Sequence, residues 1–113
     1  MTTCIDRRYD LETREIIVGS DRKHHHDGAY FTNTIVSIAR RYLNSGGIIN
    51  VQLIDEKGNV YEEADLGRDH LLDFNAMALR PGDSVRLRFS GGDIMARHKI
   101  IGRLVTFIEK NDI

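Results

Sequence analysis

The sequence predicts an α+β fold in which helices cover one face of an antiparallel sheet. Apolar and polar residues alternate around 48–54 and 84–90, which is the period of a half-buried strand. Around 33–44 and 94–110, apolar residues instead recur at helical spacing. The predicted order is β-α-β-β-α-β-α, with a long connection after the first strand and a hairpin in the middle.

The first strand and the first helix are joined by a polar loop. Residues 15–19 form a short β-rich run, and the loop at 20–28 contains no sizeable apolar side chain. Thr32 and Asn33 are the expected N-caps of the helix, because their side-chain oxygens accept the free N–H groups of a first turn. The helix ends at the Asn44–Gly47 run, which offers a glycine for a left-handed C-cap. Its apolar stripe comprises Ile35, Val36, Ile38, Ala39, Tyr42 and Leu43.

The rest of the chain alternates between periodic segments and turns. The later elements, in order, are a strand at 48–54, a turn at 55–59, a strand at 60–65, a short helix at 69–79, a turn at 80–83, a strand at 84–90 and a helix at about 94–110. Asp93 is the expected N-cap of the last helix. The buried stripe of that helix comprises Ile100, Ile101, Leu104, Val105 and Ile108.

Composition limits the class of protein. The chain has 113 residues, which fits one domain over 15–113 preceded by an N-terminal arm over 1–14. Its formal net charge of −1 offers no general attraction for nucleic acid or an anionic membrane. No apolar run is long enough to span a bilayer, and no signal-peptide core is present. We expect a cytoplasmic protein, in which the single cysteine, Cys4, forms no internal disulfide.

The series of elements resembles the HPr family, the histidine-containing phosphocarrier proteins of the bacterial phosphotransferase system. The resemblance covers roughly residues 15–109. It is carried by F-T-N-T-I-V-S-I-A at the first helix, I-N-V-Q-L-I-D-E-K-G-N-V at the hairpin, and D-H-L-L-D-F-N-A-M-A-L-R-P-G-D-S-V-R-L-R-F-S-G from residue 69. It implies an HPr-like open-faced sandwich, with a four-stranded antiparallel sheet and three helices on one face.

The family's active-site residues are changed in this sequence. The resemblance places Phe31 at the position of the phosphoryl-accepting histidine, with Thr32, Asn33 and Thr34 where the family has Thr, Arg and Pro. A phenyl ring has no nitrogen to accept a phosphoryl group, and Asn33 lacks the guanidinium that steadies a phosphate. The regulatory serine of some family members aligns with His70. The resemblance therefore implies the fold without either chemistry at these positions.

The sequence therefore predicts a divergent HPr-like regulator that acts by protein–protein contact and is not an enzyme. In the family, helix 1 and the short second helix dock phosphotransferase-system enzymes and regulators. The residues expected to contact a partner are Phe31, Thr32, Asn33, Ser37, Arg40, Arg41, His70 and Leu71. Two interpretations of Phe31 stay open: an exposed aromatic anchor for the partner, or a side chain packed onto Leu71, Leu72 or Phe74.

The alternative is an active phosphocarrier with a loop histidine as acceptor. His24, His25 or His26 would swing over the helix N-terminus, where free N–H groups and the helix dipole favour a phosphoryl group. The same histidine run also suits a solvated polar loop. A metal site is a further interpretation, although no Cys/His spacing elsewhere supplies partner ligands. We expect neither a metal nor a cofactor.

Other polar residues have simpler interpretations. His70 follows a helix-capping Asp69, and His98 is expected on the surface of the last helix. The arginines expected on or near the solvated sheet face are Arg7, Arg8, Arg14, Arg86 and Arg88. Such a face is usually only a soluble surface, so no nucleic acid partner is expected. In a third interpretation the chain is an oligomerising module, whose N-terminal arm exchanges between copies.

Overall fold

The computed structural model describes residues 15–19, 28–68, 80 and 82–110. They form an α+β open-faced sandwich, which confirms the predicted fold class. Its elements, in chain order, are β1 (Glu15–Gly19), α1 (Gly28–Ile38), α2 (Arg40–Asn44), β2 (Ile48–Ile54), β3 (Val60–Leu66), β4 (Ser84–Ser90) and α3 (Ile94–Lys110). The N-terminal arm at 1–14 and the short helix predicted at 69–79 lie outside the described residues.

The four strands make one antiparallel sheet in the order β1-β4-β2-β3. β2 and β3 are the predicted hairpin, and Gly58 in its turn has a φ of 90°. The Asp55 carboxylate closes this turn by accepting the backbone N–H groups of Lys57 and Asn59, each at 2.9 Å. These bonds, with the one from Asn59 the largest cause, hold the pKa of Asp55 below its ordinary value.

One face of the sheet is apolar and lies under the helices. The inward side chains of β1, β2 and β4 are Ile16, Val18, Ile49, Val51, Leu53, Val85, Leu87 and Phe89, all of them buried. The predicted stripe of α3 is buried against them in full. The two-residue alternation in β2 and β4 and the helical period in α3 are thus confirmed, because each pattern places its apolar residues on the core side.

The first helix begins about one and a half turns earlier than predicted. α1 starts at Gly28, so Thr32 and Asn33 are not its N-caps, and this prediction is wrong. The physical reason is Phe31, which is 0% exposed and stacks on Phe107 of α3 with ring centroids 5.8 Å apart. Phe31 lies four residues before Ile35 and extends the buried stripe, so the core stabilises an additional helical turn.

The predicted single helix is divided into α1 and α2. Ala39 lies between them with φ −94° and ψ 10°, away from the helical values of about −63° and −42°. The hydrogen bonds from Ala39 N to Ile35 O and from Leu43 N to Ala39 O persist across the break. The buried side of both helices therefore stays continuous through Ala39, Tyr42 and Leu43, as the predicted stripe requires.

A rigid corner joins the end of α2 to the start of α3. The Tyr42 hydroxyl lies 2.9 Å from the carbonyl oxygens of both Ser90 and Gly91. The Gly92 backbone packs directly on Gly47, and a Cβ built on Gly92 would lie 2.6 Å from the Gly47 Cα atom. Burial raises the pKa of Tyr42, while the neighbouring Arg97 guanidinium opposes this rise.

Asp93 caps α3 as predicted. Its carboxylate accepts the backbone N–H of Met95 at 2.9 Å, and its carbonyl accepts the N–H of Arg97 at 3.0 Å. We expect Asp93→Ala to lower the free energy of unfolding by about 1 kcal/mol, because a free N–H group of the first turn loses its acceptor. Asp93→Asn keeps an acceptor oxygen and should retain most of the stability in urea unfolding. Equal losses in the two variants would contradict this role.

Candidate functional site

The exposed side of α1 and α2 carries four of the predicted contact residues. Asn33, Ser37, Arg40 and Arg41 are all exposed, at spacings that place them along one side of the two helices. We call these four residues the α1–α2 face. The structure exposes all four side chains to solvent, and their role as contacts for a partner stays a prediction.

The cations of this face differ from those of the sheet. Neither Arg40 nor Arg41 takes part in an ion pair between described residues, whereas Arg80, Arg86 and Arg88 each pair with a carboxylate. Residues 28–54 contain no Asp or Glu at all. The two guanidiniums therefore have no carboxylate within their own segment and no ion pair among the described residues, and their forked N–H donors suit a partner that carries carboxylates.

Phe31 and Thr32 do not belong to this accessible surface. Phe31 is fully buried, so its interpretation as an exposed aromatic anchor is wrong. Its ring packs on Phe107, and the residues of the alternative interpretation, 71, 72 and 74, lie outside the described residues. Thr32 is 2% exposed, and its hydroxyl oxygen has no hydrogen-bond partner among the residues that the structure describes. A partner approaching α1 from solvent therefore meets Asn33 and not these two side chains.

The helix N-terminus lies at Gly28 and not at Thr32. Its free N–H groups belong to residues 28–31, so the anion site expected at Thr32 and Asn33 is displaced by about one and a half turns. His24, His25 and His26 precede this first turn directly in sequence, but they lie outside the described residues, as do His70 and Leu71. His98 is half-buried on α3, so its assignment to the surface is only partly correct.

The outer face of the sheet carries a hydrogen-bonded network across all four strands. Arg88 Nε donates to the Glu15 carboxylate at 2.8 Å on the β1 side. Arg86 donates to the side-chain oxygen Oε1 of Gln52 at 2.8 Å, and Gln52 Nε2 donates in turn to the Glu63 carboxylate at 3.0 Å. We call this the outer-face network. Arg86 and Arg88 lie on the solvated face as predicted.

At the β3 end of the outer-face network, the Asn50 amide joins that of Gln52 in binding carboxylates. Asn50 Nδ2 lies 3.0 Å from a Glu63 oxygen and 2.7 Å from an Asp65 oxygen. Arg86 and Arg88 of β4 thus pair with Glu15 at the β1 edge, while the carboxylates of β3 are held by amides of β2. Because the arginines are already paired within the sheet, this face is a poorer candidate for binding an anion than the α1–α2 face.

Glu63 makes the stability of this network depend on pH. Hydrogen bonds from Asn50, and then from Gln52, hold the pKa of Glu63 below its ordinary value. Its ionised form therefore stabilises the fold above the ordinary glutamate pKa of about 4.3, and this stabilisation is lost as the pH falls through the lower folded pKa. We expect a smaller acid-induced fall of the melting temperature in Glu63→Gln than in the wild type.

The matched control for this experiment is Glu56→Gln. Glu56 is an exposed glutamate of the β2–β3 turn and takes no part in the outer-face network. Its variant should keep the wild-type dependence of the melting temperature on pH. An identical acid dependence in Glu63→Gln and in the wild type would show that Asn50 and Gln52 do not hold this carboxylate in its ionised form.

A second polar cluster joins β3 to the turn before β4. The buried Asp83 carboxylate accepts hydrogen bonds from the Tyr61 hydroxyl at 2.5 Å and from Arg80 Nε at 3.0 Å. The Arg80 guanidinium also lies over the Tyr61 ring, 3.9 Å from its centroid. Burial, together with the bond to Asp83, raises the pKa of Tyr61 to about 12. The cluster fixes this turn against the sheet, because its side chains satisfy one another's hydrogen-bonding groups.

Comparisons with protein-family models, with curated proteins and with solved structures found no match for this chain. Among the described residues, no group of three or more His, Cys, Asp or Glu side chains is placed to hold a metal ion. No helix in the described part of the chain has the length and apolarity needed to cross a membrane. The resemblance to the HPr family therefore stays a prediction from the sequence, alongside a fold class that the structure shows.

Proposed function

We propose that the chain is a divergent HPr-like module that binds a protein partner of the phosphotransferase system through its α1–α2 face. The observation that supports this proposal is the exposed set of Asn33, Ser37, Arg40 and Arg41, in which both guanidiniums lack an ion pair between described residues. The partner is recognised by contact. The four residues of this face supply no carboxylate, imidazole or thiol that could act as a catalytic base or nucleophile.

The chemistry of the face indicates what the partner presents. Two adjacent arginines offer forked N–H donors that match carboxylate geometry, and Asn33 and Ser37 add neutral hydrogen-bond groups. With Phe31 in the core, the described part of this face has no large apolar anchor. We therefore expect a predominantly electrostatic contact with an acidic protein surface, whose affinity falls as the salt concentration rises.

Titration calorimetry with enzyme I of the phosphotransferase system tests this proposal. The double variant Arg40→Glu, Arg41→Glu should bind at least about tenfold more weakly than the wild type, since about 1.4 kcal/mol of lost interaction corresponds to that factor. Lys57→Glu is the matched control, because Lys57 is an exposed cation of the β2–β3 turn. Equal affinities of the double variant and the wild type, or no binding by the wild type, would overturn the proposal.

A second candidate function is phosphoryl transfer through a loop histidine. The start of α1 at Gly28 favours it, because His26 comes only two residues before the first helical residue. Free N–H groups at a helix N-terminus favour a transferred phosphoryl group, so this second candidate needs an acceptor close to Gly28 in the sequence.

In this mechanism an unprotonated imidazole nitrogen attacks the phosphorus of the phosphorylated donor. The new N–P bond forms while the bond from phosphorus to the donor group breaks, and the electron pair of that bond returns to the donor. Incubation with enzyme I and labelled phosphoenolpyruvate should then label the chain, and His26→Ala should abolish the label while His98→Ala retains it. No label on a folded wild-type chain, or an undiminished label after replacing His24, His25 and His26 together, would exclude the carrier function.

A further inference from the structure

The first turn of α3 exposes two consecutive apolar side chains. Ile94 is 46% exposed and Met95 is 51% exposed, the two highest values among the large apolar residues that the structure describes. A single exposed apolar side chain needs no explanation on a soluble protein. Two neighbours that both remain in solvent, at the start of a helix whose other apolar residues are buried, form a small apolar patch that suits an anchor for a binding partner.

These two side chains are held on a rigid support. The Ser45 hydroxyl oxygen, just after α2, accepts the Asp93 backbone N–H at 2.8 Å, and the Asp93 carboxylate caps the Met95 N–H. The same corner is also held by the hydrogen bonds of the Tyr42 hydroxyl and by the packed backbones of Gly47 and Gly92. Because the support is already ordered, a partner that contacts Ile94 and Met95 loses little conformational entropy of the protein on binding.

Two exposed cations lie on the same side of α3 as Met95. Lys99 and Arg103 follow Met95 at intervals of four residues, so the three side chains lie along one face of the helix, and both cations are exposed. Neither takes part in an ion pair between described residues. The carboxylate closest in sequence, Asp93, is engaged in the helix cap. We call Ile94, Met95, Lys99 and Arg103 the α3 stripe.

We propose that the α3 stripe is a second docking site, for an amphipathic protein segment that presents an apolar side chain flanked by carboxylates. The apolar pair would bury the partner's side chain, and the two cations would pair with its carboxylates at the rim. Charge complementarity selects this partner, because the three helices together carry six lysines and arginines and one carboxylate, Glu109. The site shares no residue with the α1–α2 face.

Nucleic acid fits this site less well than an acidic protein segment. The β2–β3 hairpin, at residues 48–66, carries five carboxylates and one lysine, and the sequence pI is about 6.5. Nucleic-acid-binding domains usually have a pI above about 9, with cations spread along the path of the backbone. An anionic membrane is also disfavoured, since two apolar side chains and two cations make a small contact with a lipid surface.

The test uses a defined probe, a labelled 14-residue helical peptide with leucines on one face and glutamates on the other. Fluorescence anisotropy should show binding by the wild type that weakens as salt increases, while the counterpart with lysines in place of the glutamates binds at least about tenfold more weakly. The pair Ile94→Ser, Met95→Ser and, separately, the pair Lys99→Glu, Arg103→Glu should each reduce the affinity for the glutamate peptide by a similar factor.

Matched controls distinguish binding at a specific site from non-specific binding of the peptide. Val60 is 44% exposed on β3, and Lys57 is exposed in the neighbouring turn, so Val60→Ser and Lys57→Glu change the same kinds of group elsewhere. Both controls should bind the glutamate peptide as the wild type does. Equal losses in controls and stripe variants, or no binding by the wild type, would overturn the proposal. Binding to phosphatidylserine vesicles through the stripe, without binding to the peptide, would overturn it in favour of a membrane surface.

Discussion

Phe31→Ala is expected to lower the free energy of unfolding by about 3–5 kcal/mol, a large fraction of the stability of a small domain. Phe31 is fully buried and stacks on Phe107, so truncation leaves a cavity between α1 and α3 and removes an aromatic pair. The same residue also supports the additional first turn of α1. Urea unfolding followed by circular dichroism measures the loss, and amide exchange should show earlier opening of residues 28–31.

Asn33→Ala is the matched control for the Phe31 experiment. Asn33 lies on the same helix but is exposed, so its variant should stay within about 0.5 kcal/mol of the wild type. Phe31→Leu keeps most of the buried volume and should lose less stability than Phe31→Ala. If Phe31→Ala and the wild type unfolded at the same urea concentration, the Phe31 side chain would not be part of the core. The explanation given for the start of α1 at Gly28 would then be wrong.

Gly92→Ala is expected to lower the free energy of unfolding by about 2–5 kcal/mol, from overpacking together with a left-handed backbone that disfavours a side chain. Gly92 has a φ of 73°, and an added Cβ would lie 2.6 Å from the Gly47 Cα atom and 2.7 Å from the Tyr42 ring. A clash with backbone cannot be relieved by a rotamer change. The corner between α2 and α3 would have to open, which would also strain the hydrogen bonds of the Tyr42 hydroxyl.

Gly58→Ala isolates the steric part of this effect. Gly58 also has a positive φ, of 90°, but an added Cβ would meet no atom within 4 Å. Its variant should therefore show only the conformational cost, about 1–2 kcal/mol. Equal losses for Gly58→Ala and Gly92→Ala in urea unfolding would mean that the close approach of Gly92 to Gly47 does not contribute to stability.

The strands and the last helix could be predicted from the sequence because the residues within each segment determine both its type and its buried side. In β4, Val85, Leu87 and Phe89 alternate with polar residues, and only one register buries all three. At α3, the capping side chain of Asp93 is likewise followed by buried apolar residues at helical spacing, from Ile100 to Ile108. For these elements local preference and tertiary packing agree, so the boundaries found in the structure match the predicted ones closely.

The start of α1 could not be predicted in this way. Thr32 and Asn33 are good capping residues, and a local argument therefore ends the helix there. Burial of Phe31 depends on residues distant in the sequence, among them Phe107 on α3, on which its ring stacks. The same long-range contact decides whether Phe31 is an anchor for a partner or part of the core, and no neighbouring residue in the sequence carries that information.

The sequence also does not show which arginines form ion pairs and which do not. Arg86 and Arg88 look as available as Arg40 and Arg41, but strand register places Glu15 beside the first pair. The sequence pattern does not predict the exposed apolar pair at Ile94 and Met95, because apolar residues at the start of a helix are usually part of its buried side. One signal is present in the sequence: these two residues precede the predicted set of buried residues, which begins at Ile100.

The most direct test of the proposed function is to map where enzyme I touches the protein. Amide chemical shifts of the isotopically labelled chain, recorded as enzyme I is added, should change most around Asn33, Ser37, Arg40 and Arg41. The changes should disappear in the Arg40→Glu, Arg41→Glu variant and persist in Lys57→Glu. Changes confined to the outer face of the sheet, around Arg86 and Arg88, or no change at saturating enzyme I, would contradict the assignment of the α1–α2 face as the binding surface.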